Sequence, residues 1–363
     1  MTHVMYGSPA SLFTGKARAY LDWKGVDYAE IAPNLEIRNE VIVPAVGRMI
    51  IPVMKLTDGT ILQDTSLIID HYELVLGGPS VYPDTPLQHF AARLIECFGD
   101  EWLVIPAMHY RWNYNEDWIY GEFGRNMMPD ASPEQQVAAG KMIGTPFKGF
   151  VPMLGINETT IPGIEASYEA LLADLDAHFA VHPFLFGARP SIGDYGLIGP
   201  LYAHLYRDPA SGEIMERLAP HVADWVRRMV EPAQPLSGEF LPDDEVPETL
   251  IPILRRMMDE HVPFLAKTAK LLSEWHAQNP DADLPRGVGI ASFTIEGVEG
   301  EGAARVFSLW MLQRALDYRQ KLSPTDRERC DALMRSVGGE QLIDFPMPVR
   351  LAYEDHTLTV ASG

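Results

Sequence analysis

The chain has 363 residues, enough for two or three compact units, and its 47% of hydrophobic residues is ordinary for a globular protein with a core. It carries 29 Lys and Arg against 50 Asp and Glu, which gives a net charge of −21. Such a chain repels phosphate backbones and anionic lipid surfaces, so we expect no nucleic-acid partner and no membrane partner. An anionic small molecule can still bind at a locally basic site or at a helix N-terminus.

Cysteine content and targeting signals bear on the compartment. Cys97 and Cys330 lie in separate regions and their spacing is not that of metal ligands. A disulfide framework is not expected, a metal site is not expected, and a reducing compartment is favoured. The first residues lack a charged-then-apolar signal pattern and no apolar run has membrane length. We therefore expect a soluble protein of the cytoplasm.

The first elements alternate between strand and helix. Residues 3–7 alternate apolar and polar side chains and stop at a Ser-Pro pair, which predicts a short strand. Residues 12–23 have helical spacing, with Gly25 where a helix C-cap is expected. Residues 26–31 predict a second strand, and residues 34–47 give mixed signals with no firm assignment.

The next segment predicts a hairpin followed by a helix. An apolar run over residues 49–56 meets an Asp58-Gly59 turn before a second short strand. Pro52 within that run favours an edge strand or a special backbone geometry. Asp64 and the two hydroxyl residues after it supply capping groups for a helix. The order β-α-β and then β-β-α is thioredoxin-like, so residues 1–80 are predicted to form such an α/β domain.

A helical domain is predicted over residues 86–235. The clearest helix start is at Ser191 and Asp194, which have capping-box spacing ahead of an apolar run. Residues 232–247 are rich in proline and acidic residues and are interpreted as a linker.

Residues 236–363 are predicted to be an extra α+β extension. A helical pattern over residues 250–276 contains two prolines that must cap or kink it. Residues 291–298 and 349–360 alternate like strands and flank a helical stretch from about 304 to 335. Glycines from 297 to 302 lack a phosphate-loop pattern and are interpreted as turns.

Three segments resemble the glutathione S-transferases that use a serine. They are YGSPASLFTGKARAYLDWKGVDY from Tyr6, IIPVMKLTDGTILQDTSLIIDHY from Ile50 and FLFGARPSIGDYGLIGPL from Phe184. Each alone is weak, but the three occur in the family's order and spacing over about 230 residues. The resemblance implies a thioredoxin-like domain, a helical-bundle domain, glutathione as co-substrate and a homodimer, and it leaves about the last 120 residues without a counterpart.

The resemblance places the catalytic hydroxyl at Ser11, at the start of the first helix. The alternative is that Ser11 is an ordinary N-cap, as any serine near a helix start can be. Ser8 is a rival hydroxyl close by, and Tyr6 a more distant one. The sequence leaves open which hydroxyl faces the thiol.

The resemblance also implies the glutathione-binding residues. Pro52 corresponds to a cis-proline that turns the backbone N–H and C=O of Val53 outward to pair with the tripeptide at an open strand edge. Asp64 corresponds to a residue that binds the γ-glutamyl ammonium. Thr65 and the helix N-terminus correspond to the site of the γ-glutamyl carboxylate. The alternative is that Asp64 and Thr65 only cap the helix, and the two roles are compatible.

A polar-aromatic cluster in the helical domain is a candidate pocket for a small hydrophobic substrate. It contains His109, Tyr110 and Tyr114, and on a helix Tyr110 and Tyr114 share a face. In the family the corresponding helix lines the electrophile pocket. Packing of large aromatic side chains in a core or an interface is the equal alternative.

The leading hypothesis is an enzyme that activates the glutathione thiol for attack on an apolar or aromatic electrophile. The alternative is a non-catalytic glutathione-fold protein whose extension binds a protein partner. A thiol–disulfide reductase is disfavoured, because no cysteine stands at the start of the first helix. The electrophile and the role of the extension are not predicted.

Overall fold

The first 75 residues fold around a four-stranded sheet. The computed structural model describes residues 2–231 and 237–361. The four strands are β1 (His3–Tyr6), β2 (Tyr28–Ile31), β3 (Val53–Lys55) and β4 (Ile61–Gln63). Their order is β2-β1-β3-β4, with β1 parallel to β2 and β3 antiparallel to both β1 and β4. This topology confirms the predicted thioredoxin-like domain.

Four helices belong to this domain, and local chemistry sets their limits. They are α1 (Leu12–Lys24), α2 (Leu35–Ile37), α3 (Val43–Val46) and α4 (Thr65–Val75). Gly25 ends α1 with a φ of 72°, a left-handed conformation that costs glycine little. The stretch without a sequence assignment, 34–47, is helical, with a π-helical turn (Arg38–Ile42) joining α2 to α3. A turn of irregular pitch explains why its apolar spacing fits no single period.

Pro52 precedes β3, and the Ile51–Pro52 peptide bond is cis, as the resemblance implied. Because β3 lies between β1 and β4, the edge-strand alternative for this proline is wrong and the special backbone geometry holds. The predicted Asp58-Gly59 turn joins β3 to β4, with Gly59 at a φ of 93°.

The helical domain packs around α5. Its helices are α5 (Pro86–Glu101), α6 (Val104–Tyr114), α7 (Glu116–Met127), α8 (Pro133–Gly149), α9 (Ile161–Phe179), α10 (Ile192–Ala203), α11 (Pro209–Leu218) and α12 (Pro220–Val230). A Cβ atom added to Gly99 of α5 would lie 2.4 Å from the carbonyl oxygen of Gly196, so α5 and α10 approach backbone to backbone. The predicted capping box is present, with the Asp194 carboxylate accepting from both the backbone N–H and the hydroxyl of Ser191.

Part of the segment that was interpreted as a linker packs against the helical domain. Residues 232–236 lie outside the described residues, but 237–247 contact the helical domain. Asp244 is 5% exposed, and its carboxylate accepts from the backbone N–H groups of Leu87 and Gln88 in the first turn of α5. The N-terminus of α5 is therefore capped by a residue more than 150 positions away.

The extension is ordered, as predicted. Its elements are α13 (Ile251–Arg256), α14 (Val262–Gln278), β5 (Gly287–Ile295), β6 (Val298–Arg305), α15 (Val306–Gln320), α16 (Pro324–Ser336), β7 (Leu351–Glu354) and β8 (Thr357–Val360). Pro252 and Pro263 both lie in first turns, where the missing N–H costs nothing. A π-helical turn (Met257–His261) separates the two helices.

Both predicted strand stretches belong to antiparallel hairpins: residues 291–298 hold the turn between β5 and β6, and residues 349–360 hold all of β7 and β8. Glu296 and Gly297 form one turn and Asp355 and His356 the other, all four with positive φ. The interpretation of residues 297–302 as turns is therefore wrong beyond Gly297, because the rest of that stretch belongs to β6. A Cβ atom at Gly300 would lie 2.6 Å from the Phe293 ring, so the close approach of that ring requires glycine there.

Helix α15 is the main contact of the extension with the other two domains. Its apolar side chains Val306, Trp310, Met311 and Leu316 are buried. It packs along α5, and Arg314 donates to Asp70 of α4 at 2.9 Å. The face where α4 meets α5 thus lies under α15.

Candidate functional site

Three strands have their ends side by side at one end of the N-terminal sheet. Tyr6, the last residue of β1, pairs with Val53, the first residue of β3, and Val53 pairs with Gln63, the last residue of β4. Helix α1 begins a short loop after Tyr6, and α4 begins directly after Gln63 and Asp64. The N-termini of α1 and α4 therefore lie at this same end of the sheet. Each N-terminus favours a negatively charged group nearby.

Ser11 is the N-cap of α1. Its oxygen accepts from the backbone N–H of Thr14 at 3.3 Å, and the residue is partly exposed. The N-cap alternative therefore holds, and the catalytic role of Ser11 stays a prediction. Since the cap uses an acceptor lone pair, the hydroxyl hydrogen stays available for a ligand.

Arg111 holds the loop that carries Ser8 and Ser11. This guanidinium is buried and donates to the carbonyl of Ala10 at 2.6 Å and to Asp208 at 2.7 Å. Within the loop, the Ser8 hydroxyl oxygen lies 3.4 Å from the backbone N–H of Ala10. Sequence reasoning missed Arg111. The available signal was a cation inside an otherwise aromatic helix segment.

Asp64 and Thr65 open α4 as predicted. Asp64 has a φ of 82°, and its carboxylate accepts from the backbone N–H groups of Ser66 at 2.9 Å and Leu67 at 3.2 Å. Burial raises the pKa of the Asp64 carboxyl, against the opposing charges of Lys16 and Arg314. The capping role is confirmed, and the ligand-binding role stays a prediction.

Val53 does not lie on an open strand edge. Its neighbours β1 and β4 flank β3 on both sides, and the side chain is fully buried. A tripeptide can approach this backbone only from the end of the strand, beside Pro52. Pairing of a ligand along an open edge at Val53 is therefore wrong, although Pro52 and Val53 lie at the end of β3 where α1 and α4 begin.

A buried charge network lies beneath the two helix N-termini. The ammonium of Lys16 in α1 donates to Glu96 at 2.8 Å and Asp100 at 2.5 Å in α5, and to Ser66 at 3.2 Å. Burial opposes ionisation of Glu96, but Lys16 and Arg314 hold the pKa of its carboxyl below the ordinary value. Burial raises the pKa of Asp100 well above its ordinary value. The network joins α1, α4 and α5 at the base of the site.

The three predicted pocket residues lie in different surroundings. His109 and Tyr110 are 0% and 2% exposed, whereas Tyr114 is 56% exposed. Glu165 of α9 lies 2.9 Å from His109 Nε2 and accepts from the Tyr114 hydroxyl at 2.7 Å. Burial lowers the pKa of His109 against the pull of Glu165. His109 and Tyr110 thus pack between α6 and α9, which is the alternative weighed from the sequence, and a pocket role stays a prediction.

The β7–β8 hairpin of the extension reaches the same end of the N-terminal sheet. The Tyr353 hydroxyl donates to Gln63 Oε1. Arg48 donates to that oxygen at 3.2 Å and to the carbonyl of His356 at 2.9 Å. The extension therefore contacts both the residue before Asp64 and the segment before Pro52.

Neither a metal site nor a membrane-spanning helix is found among the described residues. Over residues 2–231 and 237–361, no group of three or more His, Cys, Asp or Glu side chains is placed to hold a metal ion. In the same residues, no helix combines the length and apolarity needed to cross a membrane.

Two family patterns match the chain. The pattern described as "Glutathione S-transferase, N-terminal domain" matches residues 5–75, and "Glutathione S-transferase, C-terminal domain" matches residues 158–228. A search of curated proteins gives no significant match.

Several solved structures are similar over about two thirds of the chain. A GST-like protein from Pseudomonas syringae has 21% identity and a TM-score of 0.43, covering 63% of this chain and 66% of its own. The β-etherase LigF from Sphingobium sp. strain SYK-6 has 17% identity and a TM-score of 0.47, covering 64% and 96%. A tau class glutathione S-transferase from mango, Mangifera indica, has 19% identity and a TM-score of 0.41, covering 68% and 94%.

Proposed function

From the membership of this chain in the glutathione S-transferase family, we propose that it binds glutathione and activates the thiol for attack on an apolar or aromatic electrophile. The observation that carries the proposal is the convergence of the α1 and α4 N-termini, with Ser11 and Asp64, at the end of β3. The tripeptide would lie beside Pro52 and Val53 with its γ-glutamyl end at Asp64 and Thr65 and its sulfur near Ser11.

The chemistry of this arrangement is stabilisation of a thiolate. A free thiol has a pKa near 8.5, and lowering it by about two units needs roughly 2.7 kcal/mol of preference for the charged form. One hydroxyl donating to the sulfur anion contributes about 1.5–3 kcal/mol, and the N-terminus of α1 contributes about 0.3–1 kcal/mol more. Together these two contributions are large enough to lower the thiol pKa by about two units without a general base.

Replacing Ser11 with alanine should lower turnover about ten- to a hundredfold and leave glutathione affinity nearly unchanged, because the hydroxyl serves the thiolate. The measurement is a pH titration of the thiolate ultraviolet band of bound glutathione. Ser323→Ala is the matched control, because Ser323 caps α16 through the same contact, to Asp326 N–H at 3.2 Å. An unchanged titration in Ser11→Ala would transfer the role to Ser8 or to backbone N–H groups.

Asp64→Asn should weaken glutathione binding about ten- to a hundredfold in titration calorimetry, since a charge-assisted contact to the ammonium is lost. Asparagine keeps the helix cap, so the fold should persist. Asp58→Asn is the control, because Asp58 accepts from Thr60 N–H in a tight turn at the other end of β3 and β4. No binding by the unsubstituted protein would refute glutathione recognition altogether.

The pH dependence of this affinity follows from the raised pKa of Asp64. Only the ionised carboxylate attracts the ammonium, so affinity is full above that pKa and is lost as the pH falls through it. The loss should therefore begin at a higher pH than an ordinary aspartate would give.

The homodimer and the cytoplasmic location stay predictions. Because α15 covers the face where α4 meets α5, that face is not free for a contact between two copies. Light scattering should return twice the chain mass of 40.5 kDa, and a mass near 40.5 kDa at all concentrations would contradict the dimer.

A non-catalytic binding protein is the second candidate. The contact of the β7–β8 hairpin with Gln63 favours it, because the extension lies against one side of the candidate site. Glutathione bound without a thiolate band at neutral pH would identify this second function.

A further inference from the structure

Tyr353 is held in a fixed position at the edge of the candidate site. Its ring packs against Trp310 of α15 at 5.3 Å between centroids and lies edge-on to Phe307 at 6.2 Å. The hairpin itself is anchored to α15, because Leu351 exchanges two hydrogen bonds with the Gln313 side chain, at 2.9 and 2.8 Å. The hydroxyl therefore meets Gln63 from a rigid support.

Two residues of opposite charge, Asp64 and Arg48, act on this hydroxyl. Burial raises the pKa of Tyr353 to about 12, with Asp64 adding to the rise and Arg48 opposing it. The hydroxyl is thus protonated at neutral pH, donates its hydrogen to Gln63, and keeps lone pairs that can accept.

Arg48 is a cation without a carboxylate partner in the described part of the chain. Its guanidinium contacts an amide oxygen and a carbonyl oxygen instead. In a protein of net charge −21, an uncompensated cation beside a candidate site attracts an anionic group of the ligand. The opposite charges of Asp64 and Arg48, which both act on Tyr353, complement the ammonium and carboxylate of an α-amino acid.

We propose that Tyr353 of the extension is part of the glutathione site, where its oxygen accepts a hydrogen bond from the γ-glutamyl ammonium that Asp64 also binds. Arg48 attracts the neighbouring carboxylate. This inference rests on the proposed function above. The extension then completes the site within one chain and selects γ-glutamyl thiols with a free amino group.

The test compares glutathione with N-acetylglutathione, which lacks the ammonium, in titration calorimetry on the full chain. The unsubstituted protein should bind glutathione at least tenfold more tightly. Tyr353→Phe should weaken glutathione binding about tenfold and change N-acetylglutathione binding less than twofold. Tyr318→Phe is the matched control, because its ring is also in the extension and stacks on His89 at 3.8 Å, away from Gln63. It should leave both affinities unchanged.

Four results would overturn the inference. Equal weakening of both ligands in Tyr353→Phe would mean that the hydroxyl only supports the fold. Unchanged glutathione affinity in that variant would remove Tyr353 from the site while leaving the proposed function intact. Equal affinity of the unsubstituted protein for the two ligands would refute recognition of the ammonium without any variant, and no binding of either would refute the proposed function as well.

Discussion

A chain that ends at Pro242 should aggregate, or remain soluble only with a lower melting temperature than the full chain. Truncation removes the partners of Trp102, which is 2% exposed and lies against His261 and Phe264 at 5.1 and 5.7 Å between ring centroids. It also removes α15 from the apolar face of α5. Each large apolar side chain returned to water costs about 1.5–3 kcal/mol, and a patch of several promotes association.

Polar losses add to this effect. Without the extension, Glu101 loses the Arg305 guanidinium at 3.3 Å, and the first turn of α5 loses its cap at Asp244. Size-exclusion chromatography and thermal melting of the two chains measure the outcome. A soluble fragment with an unchanged melting temperature would show that the extension is an independent appendage.

Lys16→Met should destabilise the fold by about 3–5 kcal/mol, because it removes the cation that contacts two buried carboxyl groups. The side chains of Lys16, Glu96 and Asp100 are 0%, 2% and 3% exposed, so water cannot replace the lost partner. An unfolding entropy of about 2.1 cal/mol/K per residue gives roughly 0.8 kcal/mol/K for 363 residues. The melting temperature should therefore fall by about 4–7 °C.

The pH dependence separates this electrostatic loss from a packing defect. In Lys16→Met, burial without a cation raises the pKa of both carboxyls in the folded state. A raised carboxyl pKa costs stability above that pKa, and the cost disappears at low pH where both states are protonated. The deficit should thus shrink as the pH falls from 7 toward 5.

Lys270→Met is the control for this experiment. Lys270 is 76% exposed and lies 3.8 Å from Glu274, and such surface pairs contribute at most about 1 kcal/mol. A Lys16→Met variant that melts like the control at pH 7 would show that the buried network is not needed for stability.

Much of the fold was predictable because its elements are set by local chemistry. The Gly25 cap, the Asp58-Gly59 turn and the capping box at Ser191 depend on neighbouring residues only. The second hairpin turn of the extension was harder to predict, because Asp355 and His356 take positive φ without a glycine. The docking of α15 on α5 depends on contacts about 200 positions apart, which one sequence does not reveal.

The residues of the candidate site also divide into those set by local sequence and those set by distant contacts. Ser11 and Asp64 were predicted at two helix starts, because a short polar residue before a helix is a local signal. Arg111 and Tyr353 act on that region through the carbonyl of Ala10 and the side chain of Gln63. Their roles follow from tertiary contacts alone, so residue type and spacing could not predict them.

The bond between Arg48 and the carbonyl of His356 spans 308 positions, and it has a consequence for the order of folding. During synthesis the α/β domain emerges long before the hairpin that contacts its sheet edge. Until the hairpin has emerged, Arg48 lacks the carbonyl of His356 and Gln63 lacks the hydroxyl of Tyr353. Contacts between residues so far apart in sequence form late in folding. The chain loses the entropy of closing the long loop before the contact contributes any stability. In nascent chains, Gln63 should therefore stay uncovered by the hairpin for most of the synthesis. Chaperones have access to this part of the sheet during that time.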